Sequence, residues 1–503
     1  MPEIILSTLN AKHIHASLGL RYLYANLGPL QPLAAIREFT LEPWPIDIAE
    51  QLLAEQPKII GLGVYIWNAQ RTRELVALLK QVSPGTLVVL GGPEVSHEWE
   101  SQPLVQEADY LVTGQGDLAF ARLCEQLLQG KRPPEKVIHA SPPPLESLQL
   151  PYDHYSEEDI AHRLVYVEAS RGCPFKCEFC LSALDRSARP FPRDSFMQAL
   201  DRLHRRGVRH YKFVDRTFNL KPDLSVEILA FFLQRLDQEL FLHFEVIPDH
   251  LPLPLREMLK QFPAGTLQLE IGIQSFDPQV QHTISRRQDN EKSRTNLQWL
   301  RQETRAHLHA DLIIGLPGED LEGFGNSFDQ LLALAPHEIQ LGILKRLRGT
   351  PIIRHSESHR MRYNPQPPYN VLSTDCIDFA TLQRLTRFAR YWEMIANSGR
   401  FPHTLPLLLG EAPFERFLRF SDWLFRRTGQ VHRIALKRLF DLVYEGLCDT
   451  LAISGEASRE ALAADYSRCG MKGLPACLRG QDTHRENPAR PADSRSARQR
   501  RHG

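Results

Sequence analysis

Short apolar runs alternate with amphipathic stretches through the first 145 residues. Runs at 4–9, 35–41, 59–67, 87–92 and 110–114 read as strands, and periodic patterns at 18–27, 46–55, 70–82 and 118–128 read as helices. Strands rich in Val, Ile and Leu that alternate with helices imply a parallel sheet covered on both faces. Five such strands predict a doubly wound, Rossmann-like domain with a ligand in the crevice at the carboxyl ends of the strands.

Prolines at 133–134, 142–144 and 151 interrupt this pattern and read as a stiff, extended linker. Alternation resumes at Leu164. Strands at 164–169, 210–215, 242–247, 267–273, 309–314 and 339–344 are separated by helical patterns near 194–206, 223–236, 252–261, 290–304 and 322–334. Six β/α repeats make a partial (β/α)6 barrel, whose chemistry belongs in the loops that follow the strands. Beyond Pro351, helical segments near 375–397, 413–427 and 431–450 take over. The predicted architecture is α/β. A doubly wound parallel-sheet domain covers 1–145, with its linker to about 155, and a barrel covers 156–350. A mostly α-helical region follows over 351–475, then a disordered basic tail over 476–503. The last 25 residues hold seven Arg against three acidic residues, which favours a solvated tail over a nucleic-acid arm.

A chain of 503 residues exceeds one hydrophobic core. Sixty basic and sixty acidic residues cancel, leaving no global field for nucleic acid or an anionic membrane. Apolar runs such as 59–67 are far too short to span a bilayer. Ile4-Ile5-Leu6 follows the start with no basic segment or cleavage site. A cytoplasmic protein with no membrane or nucleic-acid partner is expected. Eight cysteines are too sparse for a disulfide scaffold. Three of them fall within eight residues, which suggests a metal site.

Those three lie in Arg171-Gly-Cys173-Pro-Phe-Lys-Cys177-Glu-Phe179-Cys180, directly after the first barrel strand. Closely spaced thiolates on one loop can converge on an iron–sulfur cluster, and three ligands leave one iron open to a small molecule. A structural zinc site would need a fourth Cys or His at regular spacing, and none follows locally. The loop and its barrel resemble the radical S-adenosylmethionine (SAM) superfamily over about 160–350. That resemblance implies a [4Fe–4S] cluster on Cys173, Cys177 and Cys180, whose open iron binds SAM and drives its reductive cleavage to a 5′-deoxyadenosyl radical. It also assigns Phe179, Asp215, Glu245, Gln274, Arg286 and Asp311 to SAM, while the glycines near 315 let backbone approach the adenine. Asp215 stands where most members carry a Gly-Gly-Glu-like turn. Glu270 reads as a satisfied strand-end side chain.

In the first domain, Leu90-Gly91-Gly92-Pro93-Glu94 ends one strand and Gly114-Gln115-Gly116-Asp117 ends another. Glycines at such turns let backbone lie against a flat macrocycle. A nucleotide or flavin domain would carry Gly-x-Gly-x-x-Gly after the first strand, and that fingerprint is missing. A domain that merely packs against the barrel is the other alternative. The arrangement resembles the cobalamin-binding group of the superfamily, which implies cobalamin beside Asn10, Gly91, Gly92, Gly114 and Gly116. The loop containing His13 and His15 lacks Asp-x-His-x-x-Gly, so no protein histidine is expected beneath the cobalt.

The implied activity is methylation of an unactivated carbon on a small-molecule or peptide substrate, with a flavodoxin or ferredoxin as electron donor. Cyclisation, rearrangement or oxidation without methyl transfer is the main rival. A non-catalytic sensor and a tRNA methylthiolase are weaker ones. The region 351–475 resembles the uncharacterised helical extension of one subgroup. Its aromatics recur at helical spacing, which reads as core packing. Cys376, Cys448, Cys469 and Cys477 match no cluster spacing and read as incidental thiols.

Overall fold

A computed structural model of the chain describes residues 1–479 and Gln499. The first sheet contains β1 (Ile4–Asn10), β2 (Ala34–Thr40), β3 (Ile59–Gly63), β4 (Leu87–Gly91), β5 (Tyr110–Gly114) and β6 (Val137–Ala140), ordered β2-β1-β3-β4-β5-β6. Every neighbouring pair is parallel. Alternation along the strands feeds two cores. Ile5, Ile60, Val88 and Leu90 pack with Leu52, Leu75 and Leu79 on one face. Ile4, Leu6, Ile59 and Val89 pack with Leu20, Phe120 and Leu123 on the other. Chain order reverses between β1 and β3, so the crevice for a ligand opens at their carboxyl ends.

Two details differ from the sequence reading. β6 falls inside the segment read as linker, because an edge strand with partly exposed residues carries no continuous apolar run. The strand expected over 59–67 stops at Gly63. Val64 turns away, its N–H bonded to the Gly91 carbonyl at 2.8 Å, and the rings of Tyr65 and Trp67 stack 4.5 Å apart in the loop beyond. Those aromatics edge the crevice.

The second sheet starts at β7 (Val165–Val167), and β8 (Ser170–Arg171) with β9 (Arg189–Pro190) forms a short antiparallel pair beyond it. β10 (His210–Phe213), β11 (Phe241–Val246), β12 (Leu267–Gln274), β13 (His307–Ile314) and β14 (Glu338–Ile343) complete a parallel sheet ordered β7-β10-β11-β12-β13-β14. Period-two burial divides its residues. Leu267, Leu269, Ile271 and Ile273 of β12 are buried, while Glu270, Gly272 and Gln274 alternate with them toward the interior cavity. Asp311 of β13 reaches the same interior.

A six-stranded, unclosed barrel leaves two strand edges. Along β7, the Tyr152 hydroxyl accepts from Glu168 N–H (2.9 Å) and donates to its carbonyl (3.0 Å). Tyr155 does the same for Tyr166, at 3.1 and 2.7 Å. At β14, the Asn397 amide pairs with the N–H and carbonyl of Ile339 (3.1 and 2.9 Å). The supposed stiff linker thus packs against the barrel through two fully buried tyrosines, whose side chains overrule the extended preference of its prolines.

β15 (Arg362–Tyr363) and β16 (Val371–Ser373) form a hairpin ahead of helices Phe379–Ile395, Pro413–Thr428, Leu436–Leu451 and Gly455–Arg468. The last of these has no sequence forecast, because its apolar residues follow no clear stripe. Phe388 and Trp392 interlock with Phe328 of the barrel helix Leu321–Ala333, and Phe417 packs against both, at centroid distances near 5 Å. One core therefore spans barrel and helices from Leu145 to Leu478 and takes in Ala16 and Tyr22 of the first domain. The segment read as a tail begins with the packed turn Ala476–Leu478 and otherwise lies outside the described residues, except Gln499. No helix of the described residues is long and apolar enough to cross a membrane.

Polar seams join the two sheets, among them a buried one in which Arg21 pairs with Asp159 (2.6 Å) and Arg163 with Glu38 (3.2 Å). Arg171 donates to both oxygens of Asp117 (2.8 and 3.0 Å) beside the crevice. Arg346 and Arg348, just past β14, pair with Glu98 and Glu94 of the loop after β4. Because barrel and helices share one core, Phe388→Ala should lower unfolding free energy by about 3–5 kcal/mol. Near- and far-UV circular dichroism should show barrel and helices unfolding in one step, beside any step of the first sheet with its own two cores. A step beyond these would show that the helices fold independently.

Candidate functional site

The cysteine loop leaves β8 through Gly172, whose φ of +87° is in the left-handed region. A Cβ there would lie 2.8 Å from the Asp185 carbonyl oxygen, so only glycine fits without strain. That same carbonyl accepts from Cys173 N–H at 2.7 Å. Cys173 and Cys177 are buried, Cys180 is partly exposed, and all three line a cavity of about 930 Å³ including its open mouth. Burial pushes the Cys173 and Cys177 thiols up, while Arg286, 3.6 Å from the Cys177 sulfur, pulls the latter down. Among the described residues no three His, Cys, Asp or Glu converge on one ion. A cluster asks for something else, one thiolate on each of several irons, and three thiols along one cavity wall suit it.

Glu178 lies between these cysteines and went unremarked in the sequence. Its buried carboxylate accepts from Ser285 (2.5 Å), His355 (2.7 Å) and Arg354, and its carbonyl accepts from Ile352 N–H (3.0 Å). The loop is thereby fastened to the turn Pro351–His355 beyond the barrel. A lone acid among metal ligands was the available signal, but its partners lie more than 100 residues away.

Phe179, Glu245, Gln274, Arg286 and Asp311 line the same cavity as the cysteines. Gln274 gets there through a register shift in β12 and a left-handed φ of +71°, with its amide folded over Gly272. Strain of this kind, about 1–3 kcal/mol, gathers at functional sites. Arg286 donates to the Gly272 carbonyl and to Gln288. Asp311 has a buried carboxylate oxygen with no hydrogen-bond partner. Burial, then the facing charges of Glu270 and Glu245, hold its carboxyl well above the usual range. His309 Nε2 stands 3.7 Å from that oxygen, too far for a hydrogen bond, so the oxygen can still accept from a hydroxyl- or ammonium-bearing ligand such as SAM.

Asp215 is elsewhere. Its carboxylate accepts from Ala169 N–H (2.9 Å) and Ser170 Oγ (2.6 Å), bracing the strand that leads to Cys173, and burial pushes it up to about 6. Arg216 takes the wall position instead and donates to both oxygens of Glu245 at 2.8 Å. Glu270 also reaches the cavity. It accepts from His243 at 2.8 Å, with Lys212 3.6 Å away, and despite burial the His243 hydrogen bond and the Lys212 charge keep it well below the usual carboxylate range. Gly315 does not line the cavity; it packs against Val371.

A second cavity, about 1600 Å³ including its mouth, lies between the two sheets. Gly91, Gly92, Gly114 and Gly116 line it together with Gly61, Tyr65 and Phe120. A Cβ on Gly92 would meet the Val64 carbonyl at 2.4 Å, and one on Gly114 the Ala140 carbonyl at 2.8 Å. Close backbone packing demands these glycines, and it also leaves a wall without side chains. A broad, largely apolar cavity with such a wall fits a flat macrocycle like that of cobalamin. Asn10 does not reach it: its amide donates to the His15 carbonyl (2.9 Å) and Glu38 (3.0 Å). Neither His13 nor His15 lines it, and His15 Nδ1 sits 2.6 Å from the Tyr166 hydroxyl. From the barrel side Arg171, Gly172, Asp185 and Arg216 complete the wall. Among the described residues, Arg216 alone lines both cavities.

Comparison with known proteins agrees with this geometry. Residues 6–124 match the B12 binding domain, 167–331 the Radical SAM superfamily, and 357–500 the family described as Protein of unknown function (DUF4080). The cobalamin-dependent radical SAM methyltransferase TokK of Streptomyces tokunonensis is 26% identical over 369 residues, 65% of this chain and 53% of TokK. The chain thus spans about half the length of that relative. The solved structure of the cobalamin-dependent S-adenosylmethionine radical enzyme OxsB with aqua-cobalamin bound has a TM-score of 0.63 at 14% identity, covering 93% of this chain and 84% of OxsB. TsrM from Kitasatospora setae, solved with cobalamin and a [4Fe–4S] cluster, has a TM-score of 0.58 at 17% identity, covering 73% of this chain and 82% of TsrM.

Fold, thiol loop and matched domains define a protein with two cofactor-bearing α/β sheets. More particularly, the chain is a cobalamin-binding radical SAM protein. Its cofactors are a [4Fe–4S] cluster, SAM and cobalamin.

Two expectations follow. Replacing Cys173, Cys177 and Cys180 together by Ala should abolish bound iron and the visible absorbance of the cluster, and full retention of iron would remove the assignment. Asp311→Ala and Arg286→Ala should keep the cluster and weaken SAM binding by about 1–3 kcal/mol each, measured by equilibrium binding. Unchanged affinity in both would show that SAM is held elsewhere.

Proposed function

We propose that the chain is a cobalamin-dependent radical SAM enzyme that methylates an unactivated carbon of a small molecule or peptide. The carrying observation is the meeting of the two cavities at Arg216. A reaction that takes hydrogen from a carbon on one side and adds methyl from the other needs its substrate at such a junction. When bound, the cluster and SAM would supply radical chemistry, and cobalamin would relay to the substrate a methyl group donated by a further molecule of SAM.

The chain's own groups position and enclose. In this reading Glu245, Gln274, Arg286 and Asp311 hold SAM beside the thiols. Asp311 accepts from the ligand, and Arg286 presents a cation to a carboxylate. The ion pair of Arg216 with Glu245 orients a cation toward the substrate space. Sequence similarity to TokK, a methyltransferase, supports methyl transfer over other radical outcomes. Cyclisation, rearrangement or oxidation is the second reading. A reduced flavodoxin or ferredoxin is the proposed electron source.

SAM deuterated in its methyl group decides between the two. Reconstituted protein would be incubated anaerobically with the host cell's pool of small molecules and peptides, and the products read by mass spectrometry. Deuterium in a product is expected. Deoxyadenosine formed beside altered but unlabelled products would replace methylation with the second reading.

A further inference from the structure

Gln115 and Asp117 lie on the rim of the larger cavity, between β5 and the helix Asp117–Leu128, yet both bond across to the barrel. Gln115 Nε2 donates to Asp185 Oδ2 at 2.9 Å. The backbone carbonyl of Asp185 is the acceptor for Cys173 N–H. Asp117 takes both terminal nitrogens of Arg171, two residues before Cys173, while Arg171 Nε bonds Glu168 at 3.0 Å and its guanidinium lies 4.5 Å over the Tyr22 ring. Both ends of the short path into Cys173 are therefore held by the rim of a cavity in another sheet.

All five polar partners, Gln115, Asp117, Arg171, Asp185 and Glu168, line that cavity. When the cavity holds only water, water competes for each of these contacts. An occupant that covers the glycine wall excludes it, and hydrogen bonds strengthen as the local dielectric falls. We infer that Gln115 and Asp117 are positioning residues, through which cobalamin in the larger cavity sets the loop that carries Cys173 and so the stability of the cluster. The inference rests on cobalamin filling that cavity and holds whatever the reaction.

The test uses the full chain, reconstituted with iron and sulfide, with and without hydroxocobalamin, and samples matched for bound cobalamin. Two readouts are followed: the rate of iron removal by a chelator, and the SAM-induced change in the electron paramagnetic resonance of the reduced cluster. In the unaltered protein cobalamin should slow iron loss about tenfold, the size of one hydrogen bond to a charged group, and should alter the resonance. Gln115→Glu removes the donor to Asp185 and sets a second carboxylate beside it, with Arg189 (3.4 Å from Gln115 Oε1 and 3.6 Å from Asp185 Oδ2) left between the two, and should erase both differences. Adding Asp185→Asn restores the contact with donor and acceptor exchanged, leaves the Asp185 backbone carbonyl in place, and should bring both differences back. A purely structural role would not be rescued by that exchange. Iron loss indifferent to cobalamin in the unaltered protein would overturn the inference, as would a Gln115→Glu variant that keeps the full difference or a double variant without rescue. Failure of the unaltered protein to take up cobalamin would overturn the cavity assignment and the coupling together. Cobalamin content, measured separately, tells these failures apart.

Discussion

A parallel sheet presents its functional loops at one end only, so chemistry drawn from two sheets requires those ends to face each other. Arg171 and Asp117 impose that geometry. Both side chains are nearly buried, so removing Arg171 would strand the Asp117 charge at a cost of about 3–5 kcal/mol, whereas Arg171 without Asp117 would keep Glu168. The arginine belongs to the strand that enters the thiol loop, and the aspartate opens a helix of the other sheet. The space between the sheets is framed by this pair, by the Arg346 and Arg348 seam and by the buried pairs Arg21–Asp159 and Arg163–Glu38.

Inside the barrel the same economy appears in the carboxylates. Glu270 has His243 and Lys212 beside it and stays charged, which discourages ionisation of Asp311 across the cavity. Glu245 is matched by Arg216. Three acids on adjacent strands thus occupy distinct electrostatic states before any ligand arrives, a division that like charges in one cavity enforce.

Much of this was legible in the chain. Period-two and period-3.6 patterns located most strands and helices of both sheets, because parallel strands buried on two faces have to be apolar. The thiol loop was legible because its ligands are local. Asp215 and Asn10 misled for a common reason: a polar residue at a strand end serves a backbone neighbour as readily as a ligand, and only the fold decides. Arg216, one residue further, faces the opposite way. Glu178 stayed silent because its meaning depends on residues such as His355, far along the chain. β6 was missed because an edge strand is half solvated.

The unclosed barrel has one more consequence. A strand edge left bare invites another chain to add a strand, and aggregation starts there. This protein meets that hazard with single side chains, since the Tyr152, Tyr155 and Asn397 side chains each imitate the hydrogen bonding of a missing neighbour. Such plugs occupy far less length than a strand would. They spare the barrel the closing strands that would narrow its mouth, so an open barrel need not carry two bare strand edges.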